Sequence, residues 1–356
     1  MPEIAWWTPA EEGGEVKEYF WPYLNRELEI QLLYGGNQVS RQLEIIKGGK
    51  YGLIFVDSSV KNFNFLKSFP THSLIVFFAS DETYSLFQTV KILNSKSVAM
   101  VIREYPARPI SNLISIPRHL LKLAASIRGH NFKFSGLLES WLAGSAIATK
   151  QTLIRLFARS LRKRLVDFPL GYTGKFAEAY DKFNDLDSSK SVIAHSIGLV
   201  KPPKKKERLF FAGQQGSYER RTMIKEALRQ GYGPFETFEN FGGPKTSKGN
   251  ELAGFEYVKG LADSEFSLCP PGNYSAESFR FIESLLLYSY PLRPKCVLSD
   301  PFFVNRSKLS WPEFIENGIL RDETFDPIAS AKIELAQIYR QIGDVKELLS
   351  GYRREL

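Results

Sequence analysis

Arg280 and Glu283 stand three residues apart in the run Ser278-Phe-Arg280-Phe-Ile-Glu283, and the chain ahead of them reads Phe266-Ser-Leu-Cys-Pro270-Pro-Gly272. An apolar strand that opens into a Pro-Gly turn and passes almost at once into a helix gathers unpaired backbone N–H groups and the positive end of a helix dipole at one point. Those are the local requirements of a phosphate site. The spacing of three puts guanidinium and carboxylate on one helix face. There the Arg can neutralise a pyrophosphate while the Glu accepts hydrogen bonds from both ribose hydroxyls, a pairing that fits a nucleoside diphosphate. The same spacing also makes an ordinary exposed ion pair, which helices carry constantly.

Other residue patterns widen or close off the chemistry. Arg208-Leu-Phe-Phe-Ala-Gly213 is an apolar strand ending in glycine, and Arg220 and Arg221 follow it at the start of a helical stretch. Asp81, with Glu82 next to it, sits at the mouth of the strong apolar run Ser73 to Ala79, where it suits a general base or, equally, the N-cap of a following helix. Asp185-Leu-Asp187 has the spacing of a metal-binding Asp-x-Asp, but it lies in the polar run Lys182 to Ser191 and reads as a solvated loop. The four histidines, His72, His119, His130 and His195, form no i,i+4 pair and suggest no zinc site. Gly242-Gly-Pro-Lys-Thr lacks P-loop spacing, which disfavours an ATPase.

The elements that must position these residues follow from periodicity. Leu53 to Asp57, Ser73 to Ala79 and Ser97 to Ile102 are short continuous apolar runs of the kind found in a parallel sheet covered on both faces, and each ends in polar residues at the ligand-facing rim. Residues 106–167 interleave Arg118, Lys122, Arg128, Lys133, Lys150, Arg155, Arg159, Arg162, Lys163 and Arg164 with apolar residues. They read as basic amphipathic helices, either packed on the domain with a solvated face or lying on an anionic membrane. Lys201-Pro-Pro-Lys-Lys-Lys-Glu207 breaks every period and reads as a linker. Beyond it, the spacing predicts a strand over 208–213, helices over 222–230 and 251–262, a strand over 266–270, a helix over 276–289, a strand near 295–298 and a helical tail from Ile328. The organisation expected is an N-terminal domain over 1–200 with an insertion over 106–167, a linker over 201–207, a C-terminal domain over 208–327 and a final helix over 328–356.

With 356 residues, 43% of them hydrophobic, the chain exceeds what one core usually organises, so two domains are expected. Cys269 lies in an apolar run and Cys296 is the only other cysteine, which argues against a disulfide framework and for a reducing compartment. The first residues carry Glu11 and Glu12 and lack a signal-peptide pattern, and no run of about 18 apolar residues occurs, so neither export nor a spanning helix is expected. A cytoplasmic protein, peripheral at most on the inner face of a membrane, is the expectation. The net charge of +8 favours anionic partners, but no nucleic-acid-binding motif accompanies it, so nucleic acid is not expected as a partner.

Pro270, Gly272, Ser278, Arg280 and Glu283, in this order after an apolar strand, resemble the C-terminal signature of the exostosin-type glycosyltransferases and the related ribitol xylosyltransferase group. Phe210-Phe-Ala-Gly213 with Arg220 or Arg221 is similar to that family's strand-glycine-arginine element, and Ser80-Asp81-Glu82, Arg103-Glu-Tyr105 and Phe168-Pro169-Leu170-Gly171 are similar more loosely to elements nearer the N-terminus. Tyr290-Pro291-Leu292-Arg293-Pro294 departs from the family pattern at the substrate end of the donor pocket, so the sugar is not carried over. The resemblance implies a GT-B fold: two Rossmann-like domains facing each other across a cleft, with a C-terminal helix crossing back. It implies inverting transfer from a nucleoside-diphosphate sugar, expected to be UDP-linked, to a hydroxyl of a glycan or lipid-linked acceptor. Asp81 or Glu82 would be the catalytic base. Gly213, Arg220 or Arg221, Pro270, Gly272, Ser278, Arg280 and Glu283 would hold the donor nucleotide, with fixed positive groups in place of a metal and no cofactor. The competing readings are another nucleotide-donor transferase on the same fold and a degenerate transferase that serves as a glycan- or membrane-binding scaffold.

Overall fold

A computed structural model describes residues 3–8, 21–28, 31–34, 51–56, 74–78, 86–103, 153, 156, 164–169, 171–199, 201–214, 218–233, 235–238, 254–270, 279–293 and 325–355. These form an α/β architecture on parallel strands, as the short continuous apolar runs predict. They group into two units, one within Met1–Pro106, Ile147–Gly174 and Ile338–Leu356, the other including Lys175–Gln337.

The first unit is built on six strands, β1 (Glu3–Thr8), β2 (Gln31–Tyr34), β3 (Tyr51–Val56), β4 (Leu74–Phe78), β5 (Val98–Arg103) and β6 (Arg164–Asp167). Every pairing is parallel and the order is β2-β1-β3-β4-β5-β6, so the winding reverses between β1 and β3. Ile75 with Val76, and Met100, Val101 and Ile102, are buried at successive positions. Successive side chains on a strand point to opposite faces, so both faces of the sheet are covered there. Helices α1 (Trp21–Leu28) and α2 (Leu86–Leu93) supply Tyr23, Leu24, Leu28, Ile92 and Leu93 to the core. After β6, Gly171 takes φ +86°, and a Cβ there would fall 2.3 Å from the Tyr23 ring. Position 171 therefore needs glycine on both conformational and steric grounds. Arg164 was expected in a basic helix; it begins β6 instead, because Leu165 and Val166 continue the sheet beside Val101 and Ile102.

In the second unit, β7 (Glu207–Phe210), β10 (Ser264–Leu268) and β11 (Tyr290–Leu292) form a parallel sheet in the order β11-β10-β7, and β8 (Ala212–Gln214) pairs in parallel with β9 (Glu236–Phe238). Its helices are α3 (Gly174–Asn184), α4 (Val192–Gly198), α5 (Tyr218–Arg229), α6 (Gly254–Asp263) and α7 (Phe279–Leu286). Leu209, Phe211, Met223, Ile224, Ala227, Phe266, Leu268, Tyr290 and Leu292 make one core cluster. The six residues Phe281 to Leu286 of α7 are all buried. Gly260 lets α6 approach β7: a Cβ there would meet the Phe210 ring at 2.3 Å.

Three helices end in the same way. A left-handed residue closes each of α3, α5 and α7, Asp185 (φ 51°) directly after α3 and Gly231 (φ 84°) and Tyr288 (φ 55°) two residues past the ends of α5 and α7, and the next N–H reaches back to the carbonyl of Asp181, Ala227 or Ser284. This is the Schellman stop. The expected helix 276–289 therefore ends early, and Tyr290, Pro291 and Leu292 become a strand that the proline had concealed. Tyr288 tolerates its conformation because its hydroxyl donates to Ser196 O and Lys332 lies over its ring. The strand expected near 295–298 lies outside the described residues.

Lys201 to Glu207 was expected to be a linker, yet its last part is fastened to the second unit. Lys205 Nζ donates to Ala262 O (2.9 Å), Leu287 O (2.7 Å) and Leu261 O (3.4 Å), and Lys206 N donates to Asp263 O (2.6 Å). These carbonyls belong to the C-terminal ends of α6 and α7, where helices lack partners and favour a cation. The final helix α8 (Pro327–Glu355) starts at Asp326, whose carboxylate accepts from Ile328 N and Ala329 N at 2.9 Å each. Its residues as far as Gln337 group with the second unit and those from Ile338 with the first. Ala331, Leu335, Ile338, Ile342, Val345 and Leu349 are buried, whereas Ile333 is 57% exposed because it falls between Ala331 and Leu335 on the opposite face. Among the described residues no helix is long and apolar enough to cross a membrane.

Candidate functional site

The C-terminal ends of β7 and β10, and the first turn of α7, bring together residues widely separated in sequence. Beyond β7 the chain runs through buried Phe211 and Ala212 to Gly213. Arg280, in the first turn of α7, donates from Nε to Ala212 O at 3.0 Å, and its Cζ stands 5.4 Å from the Phe211 ring centroid. The guanidinium is seated on Gly213. A Cβ at that position would lie 1.9 Å from Arg280 Nη2, and the glycine takes φ +147°, a conformation that side-chain-bearing residues rarely adopt. With Nε committed to the Ala212 carbonyl, the guanidinium plane is fixed, and the four Nη hydrogens remain the donors with which a guanidinium grips an anion.

One turn along α7, Glu283 is only 4% exposed. The Tyr257 hydroxyl of α6 donates to its Oε2 at 2.9 Å. Tyr257 is held by ring contacts to Phe210 at 6.0 Å and Phe176 at 6.4 Å. Burial, then the neighbouring Glu283 charge, push the Tyr257 hydroxyl well above its usual range against the opposing charge of Arg280, so it stays a donor to the carboxylate. Beneath this pair Ser267 Oγ donates to Ser284 Oγ at 2.6 Å, Ser284 Oγ donates to Arg280 O at 2.5 Å, and buried Cys269 lies 3.6 Å from Ser284 Oγ. Burial raises the Cys269 thiol, with the two serine hydroxyls and Arg280 opposing. A buried neutral thiol is inert, so Cys269 packs the site rather than reacting in it.

Of the residues the sequence points to, Gly213 and Arg280 meet directly, Glu283 stands one turn from Arg280, and Pro270 is buried just after β10. Arg220, in the first turn of α5, is 8% exposed, whereas Arg221 faces solvent. Gly272, Ser278, Asp81 and Glu82 lie outside the described residues. Asp185 and Asp187 have structural duties: Asp185 is the left-handed stop of α3, and Asp187 Oδ1 accepts from Ser189 N at 2.7 Å. Sequence reasoning missed Tyr257 and Lys205. No spacing rule links residue 257 to residue 283, and a lysine in a run of three carries no mark of burial.

No protein-family model and no curated protein matches the chain. Among solved structures, it is similar to a mutant of BGT from phage T4 in complex with UDP-glucose, at 12% identity over 99% of this chain and 98% of the other, with a TM-score of 0.38. It is also similar to HepE of Anabaena in complex with UDP-glucose, at 10% identity over 98% of this chain and 99% of the other, with a TM-score of 0.40.

Proposed function

We propose that the chain is a glycosyltransferase of GT-B type that moves a sugar, with inversion, from a nucleoside-diphosphate donor to a hydroxyl of a glycan or lipid-linked acceptor. The observation that carries this reading is the seating of the Arg280 guanidinium on Gly213, with the buried Glu283 carboxylate one turn away, at the C-terminal ends of parallel strands. In open α/β sheets that rim is where ligands bind. Arg280 is placed to meet a diphosphate and Glu283 to accept from a ribose, so the donor, expected to be UDP-linked, would lie with its nucleotide on the second unit. In the reaction the acceptor oxygen bonds to the anomeric carbon as the bond from that carbon to the diphosphate oxygen breaks. A carboxylate, Asp81 or Glu82, takes the acceptor proton. Charge accumulates on the leaving diphosphate, where Arg280, Arg220 and backbone N–H groups after Gly213 stabilise it without a metal.

The test is calorimetry with uridine, guanosine and cytidine diphosphates, followed by hydrolysis and transfer assays with the matching nucleotide sugars in excess chelator. Binding of one diphosphate and turnover that survives chelation support the reading. No binding by any of the three would overturn it, and turnover that needs added manganese or magnesium would overturn its metal-independent part.

A further inference from the structure

A ribose is gripped by a carboxylate only if that carboxylate is held in the right plane, because two hydroxyls on adjacent carbons need two acceptor directions at once. Glu283 is buried and its Oε2 accepts from Tyr257. The tyrosine belongs to another helix, and its freedom is removed at both ends: the ring by Phe210 and Phe176, the hydroxyl by the carboxylate itself. Gly260, one turn further along α6, admits the Phe210 ring into the space a side chain would fill, which sets how closely α6 lies against β7. The hydrogen bond from Tyr257 thus fixes the Glu283 carboxylate from outside α7.

We propose that Tyr257 is a positioning residue that orients Glu283 for both ribose hydroxyls, and so sets the preference of this site for ribonucleoside over 2′-deoxyribonucleoside diphosphates. The inference rests on the reading of Glu283 as the ribose acceptor. Without the hydroxyl the carboxylate loses its tie to α6, and the acceptor direction that this tie sets toward one of the two ribose hydroxyls is lost first. Loss of selectivity should then exceed loss of affinity for the deoxy ligand.

Tyr257→Phe keeps the ring between Phe176 and Phe210 and removes only the hydroxyl. The experiment is calorimetry of wild type and Tyr257→Phe against uridine, guanosine and cytidine diphosphates and their 2′-deoxy counterparts. The wild type should favour the ribonucleotide by about tenfold, as one charge-assisted hydrogen bond allows. In Tyr257→Phe the ribonucleotide should lose about tenfold while the deoxynucleotide loses about twofold or less, so that the ratio shrinks toward one. A merely structural role for Tyr257 would weaken both ligands alike and leave the ratio unchanged, which overturns the inference while the nucleotide site stands. A wild type without ribose preference overturns it as well, and a wild type that binds none of the diphosphates overturns the functional reading together with it.

Discussion

At the residue scale the candidate site turns on a carboxylate that is both a prospective ligand group and part of the packing. Glu283→Ala removes the acceptor of a buried hydroxyl, Tyr257, so it should cost about 1 to 3 kcal/mol of stability in addition to weakening nucleotide binding by a similar amount. Glu283→Gln keeps an acceptor for Tyr257 and should lose affinity while keeping nearly all the stability. Thermal melts and calorimetry on the two variants separate these effects; equal affinity in wild type and both variants would remove Glu283 from the site. Arg280 differs in kind, since charge on a departing diphosphate grows toward the transition state. Arg280→Ala should therefore lower kcat by roughly 100-fold or more while weakening ground-state binding only about tenfold. An equal loss in both would show that Arg280 holds only the ground state.

At the element scale the second unit depends on two ties between α6 and α7: the Tyr257 to Glu283 bond and the Lys205 clamp at their C-terminal ends. Burial lowers the Lys205 ammonium to about 7, while the charges of Asp263 and Glu265 act in the opposite direction. In the unfolded chain the same amine titrates near 10.5. Between those values the unfolded state holds one more proton than the folded state, so the contribution of Lys205 to stability rises with pH across that window. Relative to Lys205→Met, the wild type should gain about 1 to 2 kcal/mol between pH 7.5 and pH 9. Denaturant unfolding of both proteins at the two pH values checks this, and parallel pH profiles would refute it. The clamp was invisible in the sequence for a physical reason. Three consecutive lysines read as solvated, and only the meeting of two helix ends converts one of them into a buried donor.

For the whole molecule, the sequence was informative wherever a residue's own neighbours decide its state. Continuous apolar runs became β3, β4, β5, β7 and β10, and the periodic segments became α5, α6 and α7. The strand-glycine element and the Arg of α7 were each visible alone, but that Arg280 rests on Gly213 was not, since it is a contact across 67 residues of chain. Tyr290 to Leu292 was concealed by Pro291, and β6 by the basic residues around it. The end of the chain makes a prediction at this scale. Residues as far as Gln337 group with the second unit, where Glu334 accepts from Tyr290 at 3.3 Å, and those from Ile338 group with the first. A chain cut after Gln337 should keep a protease-resistant second unit with its nucleotide affinity and lose resistance in the first, whereas a cut after Asp326 should damage both. Limited proteolysis with fragment mass analysis decides, and equal digestion patterns for the two truncations would count against the division.

Gly260 carries a consequence for how this protein can vary. A Cβ there would lie 2.3 to 2.9 Å from three atoms of the Phe210 ring, so even alanine must push the ring off α6. Yet glycine inside a helix is itself costly, by about 1 kcal/mol relative to alanine. The two positions are therefore locked as a pair: alanine at 260 becomes favourable only when 210 is smaller, as in Phe210→Leu. Gly260→Ala alone should destabilise, and the double variant should recover at least half of the loss, giving a non-additive cycle. Across natural variants of this chain, a side chain at 260 should occur only together with a residue smaller than Phe at 210.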